Sequence, residues 1–249
     1  MRRVDTFKIL GVRVDCVDKQ TLLERVEEWS RQARKRTIAY LNAHCLNTAY
    51  QDSALRDCLN GTDLNYADGI SLVWASRWLG GPRLSKLTGR EWIGDFLTIA
   101  ERTGLRFYIL AGEPGIAQKA KENILKHYPN IQIAGTCDGF FREKSQSSAM
   151  QEMNDTQSQV VFVGLGVGVQ EKWITEQRNQ IAAPVCWSVG ALFDYVAGAE
   201  KEVPRWIDRL ALEWLWRLIQ DPAHKWRRYL IGNPLFVIRV LKQKYSAKE

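Results

Sequence analysis

The sequence predicts an α/β protein in which a mostly parallel sheet carries helices on both faces, with a helical appendage at the C-terminal end. Two observations support this class. Short runs rich in β-branched residues alternate with longer amphipathic stretches, and the segments that connect them are short. The 249 residues, 45% hydrophobic and 25% charged, also suffice for one large buried core. This composition excludes a disordered chain, a collagen-like chain and a small disulfide scaffold.

Seven strands, with helices between them, are predicted in chain order. The strands fall at residues 7–14, 37–42, 64–67, 106–111, 131–135, 160–164 and 185–188. The clearest amphipathic helices fall at residues 19–34, 91–102, 115–127 and 170–182. Strand runs such as TIAYLN, RFYILA and VVFVG are dominated by β-branched and aromatic residues, whereas the helical stretches space their apolar residues for one helix face. Strand–helix–strand units of this kind build a Rossmann-like, mostly parallel sheet.

The charge balance favours an anionic partner. Thirty-five Lys and Arg against 28 Asp and Glu give a formal charge of +7, which leaves nucleic acid, anionic membrane and phosphorylated substrates open. Five widely spaced cysteines without a C-x-x-C pair are typical of reduced thiols in a cytoplasmic protein. The N-terminus lacks the apolar segment of a signal peptide, and the longest apolar run, residues 160–169, is about half of a membrane-spanning helix. We therefore expect any membrane contact to be peripheral.

Polar residues and glycines follow the predicted strands, at the edge where parallel sheets bind their ligands. These positions are Asn42 to His44, Asp68-Gly69, Gly112 to Gly115, Asp138 to Phe140, Gly164 through Glu171, and Gly190 through Asp194. Several of the glycines lie beside a helix start, where free backbone N–H groups suit a phosphate. The pattern therefore predicts a phosphorylated or nucleotide-linked substrate.

Familiar nucleotide and metal motifs are incomplete or missing. The GLGVG segment after residue 163 lacks the acidic residue about 20 positions later that would bind a ribose, because residues 184–188 are PVCWS. The sequence contains no P-loop, no D-x-D and no His, Cys and carboxylate set with metal spacing. We therefore predict metal-free chemistry without a cofactor. A nicotinamide-dependent Rossmann-type enzyme and a nucleic-acid-binding module stay as alternatives.

Motifs over nearly the whole chain carry a family resemblance. In order they are LNAHCLNTAY, NYADGISL, TGREW, FYILAGEPG, GTCDGFF, VFVGLGVGVQEKW, SVGALFDYVAG, LEWLWRLIQDP and RRYLIGNPLF. From about residue 7 to about residue 241 the chain resembles the WecG/TagA/CpsF glycosyltransferases. The resemblance implies a bacterial, metal-independent, inverting enzyme. Such an enzyme moves a sugar, commonly N-acetylmannosamine or its uronate, from a UDP donor to polyprenyl-diphosphate-linked N-acetylglucosamine, for teichoic acid, enterobacterial common antigen or capsule.

The resemblance also implies roles for individual residues. Asp68 corresponds to the aspartate proposed as general base in the family, and Asn42 to the asparagine that closes the preceding strand. Gln170 and Asp194 correspond to further functional positions. The residues expected to contact substrate within the α/β part are Tyr40, Asn42, Lys86, Gly112, Gln170, Glu171 and Asp194.

Three positions depart from the family pattern. Tyr40 stands where the family has a threonine, Lys86 where it has an arginine, and Gly168 where it has a proline. Lys86 keeps the positive charge but loses the bidentate geometry of a guanidinium toward phosphate. We therefore expect donor affinity or donor identity to differ from the better-known members.

Each site assignment has a structural alternative. An inverting transfer needs one base for the acceptor hydroxyl and stabilisation of the departing UDP, so a single aspartate suffices. Asp68 would otherwise be the N-cap of the following helix, and Glu171 the first-turn acid of another. Gly112 would be a turn residue, and Asp194 a local cap or ion-pair partner. The resemblance favours the base role for Asp68, whereas His44 is expected to be structural.

The last 50 residues concentrate positive charge and tryptophan. Residues 200–249 contain eleven Lys and Arg against six Asp and Glu, so they carry +5 of the chain's +7, and they hold four of its ten tryptophans. A helix from about Pro204 would place Trp216 among its charged residues, Arg205, Arg209, Glu213 and Arg217. The same helix would align an apolar stripe of Ile207, Leu210, Ala211, Trp214, Leu215 and Leu218.

This distribution predicts two parts, an α/β glycosyltransferase core at residues 1–199 and a basic, Trp-rich, membrane-binding helical appendage at residues 200–249. An ordinary helix packed on the sheet is the alternative. Arg217, Arg227 and Arg228 are expected to hold the diphosphate of the acceptor. The core carries only about +2, which argues against nucleic acid. We expect a cytoplasmic protein, peripheral on the inner face of the bacterial plasma membrane, and leave a homo-oligomer open.

Overall fold

Six parallel strands form the central sheet in this computed structural model, which describes residues 4–139, 146–201, 203–204, 206–207 and 212–246. With a separate two-stranded hairpin, the described residues form eight strands: β1 (Thr6–Ile9), β2 (Val12–Asp15), β3 (Arg36–Leu41), β4 (Leu64–Ala67), β5 (Phe107–Ala111), β6 (Ile133–Cys137), β7 (Val160–Gly164) and β8 (Val185–Ser188). Their order across the sheet is β4-β3-β8-β7-β5-β6, and β1 pairs only with β2 in an antiparallel hairpin. The predicted α/β class with a mostly parallel sheet is confirmed.

Helices connect the strands and complete the chain. They are α1 (Lys19–Trp29), α2 (Ala43–Gln51), α3 (Ser53–Gly61), α4 (Ile70–Trp78), α5 (Gly89–Thr103), α6 (Ile116–His127), α7 (Gln146–Asp155), α8 (Val169–Gln177), α9 (Leu192–Val196), α10 (Glu213–Gln220), α11 (Pro222–Trp226), a π-helix (Arg227–Ile231) and α12 (Gly232–Ser246). The predicted helices at 19–34 and 170–182 end early, at Trp29 and Gln177. The pair α2 and α3 had no predicted counterpart, because Asp52 ends one helix and caps the next and so interrupts the apolar periodicity.

The single strand predicted at residues 7–14 is wrong. The chain reverses at Leu10 and Gly11, and Ile9 pairs with Val12 across the turn. Both turn residues have positive φ, 51° and 81°, which is the geometry that lets a two-residue turn follow the twist of its strands. Leucine is unusual in that position, so only Gly11 indicated a hairpin turn in the sequence.

Apolar side chains cover both faces of the sheet. On one face α1, α5, α6 and α9 pack over an aromatic cluster, in which the rings of Trp92 and Trp187 stack with centroids 4.1 Å apart and Phe162 lies beside them. The other face is covered by α2, α3, α4 and α12 toward the β4 edge and by α7 and α8 toward β6. This two-sided burial leaves the carboxyl ends of the strands as the open edge.

The C-terminal segment is not one continuous helix. Leu212 has a non-helical backbone conformation, with φ −100° and ψ 17°, and α10 begins only at Glu213. The expected helix from Pro204 is therefore interrupted, and Arg205, Arg209, Leu210 and Ala211 lie outside the described residues.

The two ends of this segment pack differently. No residue of α10 is buried, whereas Phe236 and Val240 of α12 join the hydrophobic cluster around α2. Arg239 donates to the backbone and side-chain oxygens of Asn47, both at 2.9 Å. Helix α12 therefore contributes side chains to the hydrophobic core, whereas α10 does not. Within the described ranges, no helix has the length and apolar character required to cross a bilayer.

Candidate active site

A pocket opens at the carboxyl ends of β3 and β4, where the sheet meets α5, α9 and the C-terminal helices. Its wall includes Tyr40, Asn42 and Asp68 from the two strand ends, and Arg217 and Arg228 from the C-terminal segment. Residues distant in the sequence meet here because parallel strands end at one edge. The structure thus brings five of the predicted site residues together.

Asp68 and Asn42 form the centre of the pocket. The Asn42 side-chain amide donates to Asp68 Oδ2 at 3.2 Å, and the Asp68 backbone N–H donates to the Leu41 carbonyl at 2.7 Å. Asn42 Oδ1 accepts from the Cys45 backbone N–H at 3.0 Å and so caps α2. This cap fixes the amide orientation, because with the oxygen committed to the helix the NH₂ group points at the carboxylate.

The capping alternative for Asp68 is not what the structure shows. The N-cap of α4 is Gly69, with φ 99°, and it carries no side-chain cap hydrogen bond. The Asp68 carboxylate instead faces the pocket. Burial, and to a smaller extent the nearby charge of Glu213, raise its pKa to about 6, against the lowering effects of the hydrogen bond from Asn42 and the charges of Arg217 and Arg228. A carboxylate with this pKa is ionised at neutral pH yet basic enough to accept a proton.

Two neighbouring groups are neutral at physiological pH. Burial lowers the pKa of His44 to about 4, with a further contribution from Arg228. Burial raises the pKa of the Tyr40 phenol well above its usual value, so its hydroxyl stays protonated and able to donate. A Cβ at Gly190 would lie 2.5 Å from that hydroxyl, and Gly190 has φ 56°, so glycine is required for this contact.

Gln170 and Glu171 are buried and brace the loop that follows β8. Gln170 Oε1 accepts from the Gly190 backbone N–H at 3.1 Å, and Gln170 Nε2 donates to Glu171 Oε1 at 2.6 Å. Glu171 Oε2 accepts from the Gly168 N–H at 2.7 Å, which closes the first turn of α8. Burial raises the pKa of Glu171. The geometry supports a bracing role behind the pocket wall, and direct substrate contact by this pair stays a prediction.

Three other predicted residues lie at the same sheet edge but outside this pocket. Lys86 places its Nζ 3.9 Å from Glu91 Oε1 at the start of α5. Gly112 turns the chain after β5 with φ 75°, where a Cβ would meet Ile116 at 2.5 Å. Asp194 lies on α9, and burial and the charge of Glu200 raise its pKa. Their substrate contacts also stay predictions.

The arginines expected to hold a diphosphate separate into two groups. Arg217 and Arg228 line the pocket. Arg227 is exposed, and its guanidinium lies 5.3 Å from the ring centroid of Trp226. The two adjacent arginines therefore differ in where they point, which the sequence did not distinguish.

Sequence reasoning missed Arg90 and Glu213. Arg90 lines the pocket at the start of α5, directly after Thr88 and Gly89. Glu213 Oε1 accepts from Arg217 Nε at 3.0 Å, and Glu213 Oε2 lies 3.6 Å from Arg90 Nη2. One carboxylate thus joins two guanidinium groups and ties α10 to α5. The TGREW motif contains Arg90, but its meeting with Glu213 depends on how α10 folds back.

The pocket combines one basic carboxylate with three guanidinium groups. A proton acceptor beside positive charge suits the attack of a hydroxyl on a centre that loses an anionic leaving group. Within the described residues, no three His, Cys, Asp or Glu side chains cluster in a way that could hold a metal ion.

The chain is similar to one protein family and to several known proteins. The family model described as "Glycosyl transferase WecG/TagA/CpsF family" matches residues 7–249. A relative from Bacillus subtilis (strain 168) is 29% identical over 211 residues, 85% of this chain and 81% of the relative. One from Staphylococcus aureus (strain MW2) is 26% identical over 245 residues, 97% of this chain and 94% of the relative. Both are named N-acetylglucosaminyldiphosphoundecaprenol N-acetyl-beta-D-mannosaminyltransferase.

Proposed function

Because this chain belongs to the WecG/TagA/CpsF glycosyltransferase family, we propose that it transfers N-acetylmannosamine or a related hexose from a UDP donor to polyprenyl-diphosphate-linked N-acetylglucosamine. The two relatives above act, by their names, on N-acetylglucosaminyl-diphosphoundecaprenol. Membership as a glycosyltransferase leaves the nucleic-acid-binding and nicotinamide-dependent alternatives without support.

The observation that carries the mechanism is the Asp68 carboxylate facing a pocket with Arg217 and Arg228 in its wall. Asp68 takes the proton from the acceptor hydroxyl, the hydroxyl oxygen forms a bond to C1 of the sugar, and the bond from C1 to the UDP oxygen breaks. UDP leaves with the bonding electron pair. A single displacement inverts the configuration at C1, and it needs no second carboxylate as nucleophile.

We further propose that the enzyme works without a metal ion. The departing diphosphate gains negative charge, which in this site the guanidinium groups of Arg90, Arg217 and Arg228 could compensate. Arginine matches the geometry of phosphate oxygens, so it can take the role that a divalent cation has in other nucleotide-sugar enzymes.

We also propose that the C-terminal segment lies on the anionic inner face of the plasma membrane. Many of the exposed large apolar side chains among the described residues fall here: Trp206, Ile219, Trp226, Leu230, Ile231, Ile238, Leu241 and Tyr245. Trp206 is 63% exposed and Ile238 61%. Lys and Arg side chains interleave with these residues, as in interfacial helices. Trp216, expected among the exposed charges, has a buried indole nitrogen, so Trp206 and Trp226 are the tryptophans available to enter the membrane interface.

Replacing Trp226, Leu230 and Ile231 together with serine is expected to weaken binding to phosphatidylglycerol vesicles by roughly tenfold or more. The reason is that three exposed apolar side chains no longer enter the membrane interface. Co-sedimentation at two salt concentrations measures the change. Val169→Ser removes an apolar side chain that is 59% exposed on α8, and it should leave binding unchanged. Equal losses of vesicle binding in both variants, or no loss in the triple variant, would contradict membrane binding by the C-terminal segment.

Transfer activity is expected to fall as the pH drops through about 6, because a protonated Asp68 cannot accept the acceptor's proton. Below that pKa the rate should fall roughly tenfold per pH unit. The profile of kcat/KM with a soluble acceptor analogue measures this limb. Asn42→Asp keeps the cap on α2 but places a second carboxylate beside Asp68, so the limb should move to higher pH. A flat profile through pH 6 would remove Asp68 as the base.

The decisive assay for the function follows UDP release from a panel of UDP-sugars, with a lipid-diphosphate-N-acetylglucosamine analogue as acceptor. UDP-N-acetylmannosamine is expected to give the highest rate, and EDTA is expected to leave that rate unchanged. If no donor yields UDP, the proposed reaction is wrong. If EDTA abolishes release, the metal-free mechanism is wrong.

A further inference from the structure

Glu213 lies at an unusual point in the molecule, between two guanidinium groups at the edge of the candidate active site. Arg217 approaches Glu213 Oε1 with both Nε and Nη2, and Arg90 faces Glu213 Oε2. The three side chains are each about one-fifth exposed, at 20% to 23%. Solutes can therefore reach the cluster, which is not a buried structural ion pair.

The two arginines are held in place by further contacts. The Arg217 guanidinium lies 5.0 Å from the ring centroid of Tyr195, another residue of the pocket wall. Arg90 Nη1 donates to the Val203 carbonyl at 3.3 Å. The two anchored guanidinium groups beside this planar carboxylate present the positive charge and the donor geometry that a phosphate group would meet.

We propose that Glu213 is an exchangeable counter-ion, whose carboxylate occupies the place of a substrate diphosphate until that diphosphate displaces it from Arg90 and Arg217. Glu213 is thus a positioning residue that acts through the two guanidinium groups: it neutralises their charge when no substrate is bound, while the Tyr195 ring and the Val203 carbonyl hold them in place. The exchange makes and breaks only ion pairs and hydrogen bonds. The inference rests on the proposed function for the source of the diphosphate, which is either the nucleotide or the lipid carrier.

The counter-ion lowers the affinity for a diphosphate, because an arriving phosphate must compete with a carboxylate that is already in place. Removing the charge while keeping the shape should therefore tighten binding. A purely structural Glu213 predicts the opposite, since Arg90 and Arg217 would lose their anchor and bind anions less well. The sign of the change separates the two roles.

The test measures binding of inorganic pyrophosphate, UDP and a short-chain prenyl diphosphate to the full chain by calorimetry. Glu213→Gln is expected to bind pyrophosphate on the order of tenfold more tightly than the parent. The ligand whose affinity increases more, UDP or the prenyl diphosphate, identifies the substrate that displaces the carboxylate. Asp95→Asn serves as the matched control, because it removes one acid of an exposed ion pair on α5, with Lys19, outside the pocket, and it should change nothing.

Unchanged or weaker binding of all three ligands by a folded Glu213→Gln overturns the proposal. If that variant does not fold, Glu213→Asp decides: its shorter side chain cannot reach both arginines, so tighter binding supports the proposal and unchanged or weaker binding overturns it. If Glu213→Gln binds pyrophosphate more tightly but the parent protein releases no UDP in the transfer assay, the counter-ion role of Glu213 is supported and the proposed reaction is wrong. If the parent protein releases UDP but Glu213→Gln binds pyrophosphate no more tightly, the proposed reaction is supported and the counter-ion role is wrong.

Discussion

Asp68→Asn should lower the transfer rate by about 10²- to 10⁴-fold and at the same time raise the melting temperature. The loss of rate follows from removing the group that accepts the acceptor's proton, which typically contributes that much. An amide of the same shape keeps the pocket intact, so the binding of UDP should change little. Rates and nucleotide affinity measured on the same preparation would separate chemistry from binding.

The gain in stability follows from the direction of the pKa shift. The pKa of Asp68 is raised from its ordinary 3.8 to about 6 in the folded protein. A group raised in this way favours the folded state below pH 3.8, and that contribution is lost as the pH rises through about 6. At pH 7.5 the partly buried carboxylate therefore destabilises the fold, by about 1–3 kcal/mol. Asparagine carries no charge and removes this cost.

Thermal unfolding at two pH values tests whether the Asp68 carboxylate destabilises the fold at neutral pH. At about pH 7.5 Asp68→Asn should melt a few degrees higher than the parent, and near pH 4 the difference should shrink, because Asp68 is then protonated and also neutral. Asp95→Asn, an exposed acid on α5, should show no such pH-dependent gain. A variant that is less stable at neutral pH, or that retains full activity, would show that Asp68 has been misassigned.

The strand ends could be predicted from sequence because their geometry follows from the fold class. Once the sheet is parallel, Asn42 and Asp68 at the ends of neighbouring strands must converge, and they do so at 3.2 Å. The roles of Gln170 and Glu171 were harder, because a motif does not reveal whether a side chain faces the pocket or supports its wall. Both side chains are buried, and Gln170 accepts a hydrogen bond from the Gly190 backbone N–H while Glu171 accepts one from the Gly168 N–H.

The contribution of the C-terminal segment could be predicted only as charge. Composition indicated a basic, tryptophan-rich surface, but the interruption at Leu212 and the buried indole nitrogen of Trp216 depend on tertiary packing. The same holds for Arg90 and Glu213, which lie 123 positions apart and meet only through the tertiary ion pair between α5 and α10. Helical periodicity carries no information about such contacts, since it describes one helix at a time.

Arg228→Gln should lower kcat/KM for a diphosphate-linked substrate by about 10- to 100-fold, whereas Arg227→Gln should leave it nearly unchanged. The two arginines are adjacent, but Arg228 lines the pocket and Arg227 is exposed against Trp226. A hydrogen bond from a guanidinium to a phosphate is worth about 1.5–3 kcal/mol when the site is partly desolvated. The pair is matched in charge, residue type and position, so only the direction of the side chain differs.

A second readout distinguishes Arg228 from a general effect of charge on the membrane surface. The charge of Arg228 lowers the pKa of Asp68, so Arg228→Gln should also move the acid limb of the activity profile to higher pH. Arg227 is exposed against Trp226 and does not line the pocket, so Arg227→Gln should keep the parent profile. A short-chain, water-soluble acceptor removes membrane binding from the comparison. Equal losses in both variants would mean that the arginines act through overall charge. A loss confined to Arg228→Gln, together with the displaced limb, would place its guanidinium beside the base and the diphosphate during the reaction.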